Sequence, residues 1–134
     1  MILADTSAWV EYDRATGSGV DERMAALMGE PQTLAVTEPV MMEILAGARD
    51  DRREADLRRL LDRFRLLGFD PAADFDGAVR IYRSCRQAGV TPRGLVDCLI
   101  AAVAIRHRAA LLTADQDHAR IAAVMDLRLD AASV

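Results

Sequence analysis

Met1-Ile2-Leu3-Ala4-Asp5-Thr6-Ser7-Ala8-Trp9 opens the chain with a short apolar run, an acid and a residue suited to starting a helix. Ile2 to Ala4 reads as a buried strand, because an apolar run without polar alternation belongs to a strand covered on both faces. Thr6 to Tyr12 reads as the helix after it. The same order returns at Thr33 to Val36, a second short strand. There Thr37-Glu38-Pro39, a capping-type residue with an early proline, starts a helix that runs to about Gly47. It returns once more at Ala110 to Thr113, a buried strand, followed by a helical stretch from Asp115 to Met125.

The segments between fit the same alternation. Thr16-Gly17-Ser18-Gly19 marks a loop, and Val20 to Gly29 has helical spacing at Met24, Leu27 and Met28 before Gly29 and Pro31 stop it. A charge-rich helix is expected from about Asp51 to Phe64, and a strand from Leu66 to Phe69, closed by Asp70-Pro71. Asp74 to Ala88 reads as an amphipathic helix with Phe75, Ala78, Val79, Tyr82 and Cys85 along one side, ended by Gly89. Gly94 to Arg108 is the most apolar helix, and Leu127 to Leu129 a candidate last strand. Strands alternating with helices predict an α/β fold on a parallel sheet.

With 134 residues the chain is long enough for a single core, and 51% apolar with 28% charged residues is a globular balance. No apolar run approaches the roughly 20 residues that cross a bilayer, so no membrane association is expected. With no basic segment ahead of Asp5, the start is not read as a secretory leader, and the expected location is the cytoplasm. Cys85 and Cys98 sit within apolar helical patterns and read as buried small hydrophobes. The formal net charge is −4, and all 17 basic residues are arginine. An acidic total is awkward for binding nucleic acid, so the distribution of charge matters more than its sum.

In a parallel α/β sheet, strand ends and the starts of the following helices share one edge, and ligands bind there. Asp5 directly follows the first strand and Asp115 the Ala110 to Thr113 strand. Asp97 lies in the first turn of the apolar helix, and Glu43 about a turn and a half into the helix after the second strand. Singly, each acid has a plainer reading. Asp5 and Asp115 suit N-caps, Asp97 suits a helix dipole and Glu43 a surface. Together they predict one cleft. Two carboxylates about 4 Å apart repel by roughly 4 kcal/mol at an effective dielectric of 20, so four require protons or cations. Oxygen-only ligands suit Mg²⁺ or Mn²⁺, while the scarcity of His and Cys argues against zinc. Such an ion implies phosphodiester hydrolysis.

The strings Asp5-Thr6-Ser7-Ala8-Trp9-Val10, Thr37-Glu38-Pro39-Val40-Met41-Met42-Glu43-Ile44-Leu45-Ala46-Gly47, Asp97-Cys98-Leu99-Ile100-Ala101-Ala102 and Leu111-Leu112-Thr113-Ala114-Asp115-Gln116-Asp117 resemble the PIN-domain family, and within it the VapC toxins of type II toxin–antitoxin systems. The resemblance spans nearly the whole chain. It implies a PIN-like three-layer α/β/α fold with a short central parallel sheet of four to five strands, as one domain over residues 1–134. It places the family's four acids on Asp5, Glu43, Asp97 and Asp115, with Thr6, Thr113 and Asp117 in support. It further implies a Mg²⁺- or Mn²⁺-dependent endoribonuclease acting on structured RNA such as tRNA or rRNA. The implied partners are a VapB-like antitoxin whose tail covers the cleft and a second copy of the chain in a homodimer, within a larger toxin–antitoxin assembly. His118 departs from the pattern, standing where the family commonly has an aromatic residue. It reads as a packed or surface histidine ahead of an RNA contact.

Arg49, Arg52, Arg53, Arg58, Arg59, Arg63 and Arg65 are interleaved with acids and read as a solvated face with internal ion pairs. Arg80, Arg83 and Arg86 form a cleaner stripe that either tracks phosphates or is simply solvated. Arg93, four residues before Asp97, is the stronger phosphate candidate, its alternative being an ion pair with Asp97. His107 reads as answering a helix dipole. The rival phosphoryl-transfer families with aspartates at strand ends resemble one another in needing a lysine, and this chain has none; no P-loop string is present either. The remaining rival is an inert binding module of the same fold, separable from an enzyme by its failure to bind Mn²⁺.

Overall fold

The computed structural model describes residues 1–134. Four strands form one parallel sheet: β1 (Ile2–Ala4), β2 (Leu34–Val36), β3 (Arg65–Leu66) and β4 (Ala110–Leu112), in the order β3-β2-β1-β4. Ile2 pairs with Leu34 on one side and Ala110 on the other, so β1 is central. Every residue of β1 and β2 is buried, as their unbroken apolar sequences require. Parallel neighbours need crossovers, and seven helices supply the connections and the tail. They are α1 (Thr6–Asp13), α2 (Gly19–Met28), α3 (Glu38–Ala46), α4 (Asp51–Leu61), α5 (Pro71–Gln87), α6 (Leu95–His107) and α7 (Gln116–Ala122).

The expected alternation is present, with local differences. The Leu66 to Phe69 strand is shorter and earlier, ending at Leu66, although the Leu67 amide still donates to the Val36 carbonyl. Leu127 to Leu129 contributes only one parallel bridge, Leu129 to Leu111. The helix expected from Asp74 begins at Pro71, because Asp70 caps it by accepting from the Ala72 amide. Its buried face also differs: Ala78, Ile81 and Cys85 turn inward, while Phe75 and Val79 are more than half exposed. Phe75 instead packs edge-on against Phe69 at 5.0 Å. Thr37 begins α3 by extended backbone alone, its hydroxyl making no cap bond.

Helix α6 is buried almost all round, through Cys98, Ile100, Ala101, Ala102, Val103 and Ala104. It lies close to α5, where a Cβ placed on Gly77 would stand 3.3 Å from the Ala102 methyl. Both cysteine thiols are free and buried as expected, and burial pushes Cys98 up to about 11. The charge-rich helix α4 carries its own pairs, Arg58 with Glu54 and Arg59 with Asp56. On α5, Arg80 pairs with Asp76 and Arg86 lies over the Tyr82 ring. No helix is long and apolar enough to cross a membrane.

One buried charge joins α5 to α6. Asp74, 1% exposed, accepts from Arg106 Nε at 2.9 Å and Nη2 at 2.8 Å and from the Asp70 amide at 2.8 Å. Burial pushes the Asp74 carboxyl up, but the Arg106 bonds, the Asp70 amide and the Arg106 charge outweigh it and hold the pKa below 3.8. A depressed folded pKa gives stability that is complete above the unfolded value and lost as pH falls through the folded one. Arg106→Ala should therefore cost about 2 kcal/mol at neutral pH in urea unfolding, less than a fully buried pair because Arg106 is partly open to water. The gap between wild type and variant should narrow as the pH drops below about 4.

Candidate active site

Four elements bring the predicted acids to the carboxyl edge of the sheet. Asp5 leaves β1 and caps α1, its Oδ1 accepting from the Ala8 amide at 3.0 Å. Asp115 follows β4 and caps α7 by accepting from the Asp117 amide at 2.9 Å. Glu43 projects from α3 and Asp97 from the first turn of α6. All four line one cavity of about 400 Å³, together with Thr6 and Ser7. For Asp5 and Asp115, capping a helix and lining the cleft coexist in a single rotamer.

Asp5 is the most constrained of the four, at 2% exposure. Its Oδ1 also accepts from Ser7 Oγ at 2.6 Å, while Oδ2 accepts from Thr113 Oγ1 at 2.6 Å and lies 3.0 Å from His118 Nδ1. Burial pushes its carboxyl up, but the His118 bond and charge, with Ser7 and Thr113, bring it below its ordinary value. Thr113 Oγ1 in turn accepts from the Asp115 amide at 2.9 Å, coupling the two aspartates through one hydroxyl. Thr6 Oγ1 donates to Glu43 Oε1 at 2.6 Å and fixes that side chain across the cleft.

Ser7 and His118 are the residues whose place in the site sequence reasoning missed. Ser7 Oγ donates to Asp5 and accepts from the Ala114 amide at 2.8 Å, so it ties the exit of β4 to the start of α1. Its position within the Asp5-Thr6-Ser7 string was the available signal. His118 is 1% exposed and stands between Asp5 and Asp97, with Nε2 3.9 Å from Asp97 Oδ1. The packed-histidine reading was right about burial but silent on these neighbours. Burial lowers the His118 pKa, yet the Asp5 bond and the Asp5, Asp97 and Asp115 charges raise it overall.

Arg93 does not pair with Asp97. It lies outside α6, before the extended Gly94 cap, so the helical four-residue spacing does not apply. Its Nε instead meets Asp117 at 2.9 Å and its Nη2 meets Asp115 at 3.3 Å. Asp117 is 1% exposed and also accepts from Arg120 Nη1 at 2.5 Å and the Arg93 amide at 3.2 Å. Burial pushes the Asp117 carboxyl up, and these bonds bring it below its usual value. Asp117 thus anchors two arginines whose side chains remain largely open to solvent beside Asp115.

Asp97 shows the opposite balance. Burial, opposed by His118 and reinforced by the charges of Asp115, Asp5 and Glu43, raises its carboxyl from 3.8 to about 6. A like-charged pocket that resists ionisation of its own acid is suited to a cation. The sequence profile of the PIN domain matches residues 2–124. The chain belongs to the PIN-domain family. This PIN domain is 48% identical over 129 residues, 96% of either chain, to Ribonuclease VapC11 of Mycobacterium tuberculosis and to a VapC ribonuclease of Mycobacterium bovis. Its fold also matches solved structures at lower identity. VapBC2 from Rickettsia felis, bound to a DNA fragment from its promoter, superposes with a TM-score of 0.77 at 20% identity, covering 100% of this chain and 99% of that one. FitAcB from Neisseria gonorrhoeae gives 0.74 at 21%, covering 98% of both. At such identities these two show the shared PIN fold alone.

An acid whose folded pKa is raised destabilises the native state progressively as pH climbs from 3.8 to about 6, and fully above that. The difference corresponds to about 3 kcal/mol. With divalent ions chelated, Asp97→Asn in this PIN domain should therefore melt above wild type at pH 7.5 and match it near pH 3.5, as followed by calorimetry or circular dichroism. An unchanged or lower melting temperature at pH 7.5 would show that the Asp97 charge carries no such penalty.

Proposed function

We propose that this chain, as one PIN domain over residues 1–134, is the toxin of a type II toxin–antitoxin pair, a Mg²⁺- or Mn²⁺-dependent endoribonuclease acting in the cytoplasm. The observation that carries this reading is the convergence of Asp5, Glu43, Asp97 and Asp115, from four separate elements, on one cavity. The identity to VapC ribonucleases supports both the activity and the toxin assignment. The donor set fits a hard divalent cation: carboxylate oxygens dominate, and Asp97 is poorly tolerated as an anion without one.

Of the four acids expected to form the metal set, Asp97 and Asp115 group with His118 within 4.8 Å and would hold the ion directly, while Asp5 and Glu43 would complete the negative charge around it. A bound Mg²⁺ or Mn²⁺ supplies the Lewis acidity for phosphodiester hydrolysis and neutralises charge that builds on the phosphate. Ser7 and Thr113 keep Asp5 ionised and oriented, Thr6 orients Glu43, and Asp117 aims Arg93 and Arg120. Arg93 then offers its fork of donors to an RNA phosphate at the mouth of the cleft. This local arrangement lets a chain of net charge −4 bind RNA. The substrate is structured RNA of the tRNA or rRNA kind. A VapB-like antitoxin covers the cleft, a partner supported by relatives described as VapBC assemblies, and the toxin works as a homodimer within that complex.

The test is cleavage of labelled tRNA and rRNA by the purified chain with Mn²⁺ or Mg²⁺. Chelation should abolish cleavage, and Asp97→Asn should lower it by about 100-fold or more while the fold is retained. Ser7→Ala, which frees one edge of Asp5, should cost about tenfold or more. A wild type that cuts neither RNA and gives no heat with Mn²⁺ at millimolar concentration would instead be an inert binding module. Expression in a sensitive host should arrest growth, and co-expression of a neighbouring small open reading frame should restore it.

A further inference from the structure

We infer that His118 is a nitrogen ligand to the ion in this cleft, so that the site is a mixed nitrogen–oxygen centre preferring Mn²⁺ to Mg²⁺. The inference rests on the metal-dependent reading above. Its own observation is an orphaned atom: His118 Nε2 is buried and makes no hydrogen bond within the protein. Buried polar atoms are nearly always paired, so this one calls for an occupant.

The geometry says which kind. Nδ1 lies 3.0 Å from Asp5 Oδ2 and 3.2 Å from Thr113 Oγ1, whose own proton goes to Asp5, so Nδ1 carries the donor proton and the Nε2 lone pair is left free. A histidine that gives one ring N–H to a carboxylate and turns the other nitrogen outward has the arrangement found at metal sites, where the carboxylate fixes the tautomer and the ring. Nε2 points toward acids. It lies 3.9 Å from Asp97 Oδ1, and candidate ligand atoms of His118, Asp97 and Asp115 all fall within 4.8 Å of one another. Ligand atoms with bonds of ~2.1 Å to one ion stand ~3.0 Å apart when adjacent and ~4.2 Å when opposite, so the 3.9 Å pair already falls in that range and the widest separation must close by about half an ångström or more.

Asp5 also explains why a histidine is useful here. Its two oxygens already accept from Ser7, Ala8, Thr113 and His118, which leaves little lone-pair capacity for direct ligation. The ring of His118 relays that fixed carboxylate to the ion instead. Imidazole favours first-row transition ions, whereas Mg²⁺ prefers oxygen donors and retains water, so the added nitrogen shifts preference toward Mn²⁺.

The experiment uses the full chain loaded with Mn²⁺ alone, prepared with ¹⁴N- or ¹⁵N-histidine, and reads nitrogen coupling by electron spin echo spectroscopy. The other histidine, His107, is ten residues from Asp97 along α6, about 15 Å away, and lies against the Gly68 carbonyl, so it does not confuse the signal. Isotope-sensitive coupling of the size that direct ligation gives is expected in wild type and should vanish in His118→Phe. Calorimetry with Mn²⁺ and with Mg²⁺ separately should show Mn²⁺ affinity falling about tenfold or more in that variant, and Mg²⁺ affinity changing by less than about threefold. Bound Mn²⁺ without nitrogen coupling in wild type would overturn the ligand assignment and leave the nuclease reading intact. No binding of either ion at millimolar concentration would overturn both.

Discussion

The carboxylate of Asp5 is the joint on which the carboxyl edge of this molecule turns. It sits where the central strand β1 ends, and its two oxygens gather the first turn of α1, the hydroxyl that follows β4 and a side chain from α7. Stretches of chain more than a hundred residues apart meet at one ionised group. A buried anion is tolerated only when its lone pairs are occupied, and here one of the partners, Ser7, is also part of the wall of the cleft. Folding and site assembly are therefore the same event at this point: the bonds that keep Asp5 charged also set Ser7, Thr113 and, through Thr113, Asp115.

Around that joint the acids divide by how they are held. Asp5 and Asp117 are surrounded by donors and ionise readily, whereas Asp97 is crowded by carboxylates and resists. The division follows position in the fold. Asp5 and Asp117 lie against the tight turns around β4 and α7, where hydroxyls and arginines are close at hand. Asp97 stands on the flank of the apolar helix α6, with few donors nearby. Structure spends its hydrogen bonds on fixing the frame and leaves one carboxylate unsatisfied inside it, which is where chemistry finds its purchase.

Much of this was legible because it depends on local order. Short apolar runs closed by an acid define strand ends, and the parallel sheet then sends Asp5, Glu43, Asp97 and Asp115 to one edge by topology. What stayed hidden depends on side-chain direction across elements. On α5 Ala78 and Cys85 turn inward as their spacing suggests, but Phe75 and Val79, which look like core by composition, stand outward, and Ile81, three residues from Ala78, completes the buried row. The alternative of an Arg93 ion pair with Asp97 rested on a spacing rule that holds inside helices, and Arg93 lies just outside one. Ser7 and His118 gave no periodic signal: Ser7 is marked only by its place beside Asp5, and His118 acquires meaning from Asp5 and Asp97, both distant in sequence.

The borders of the sheet carry a further consequence. On one side β3 is two exposed residues long, and on the other β4 is covered by a single bridge from Leu129. Neither rim presents a length of free backbone on which another polypeptide could lay a strand, the first step toward fibrous aggregates. A sheet bordered in this way keeps its main chain engaged within its own fold, a safeguard built into its short outer strands.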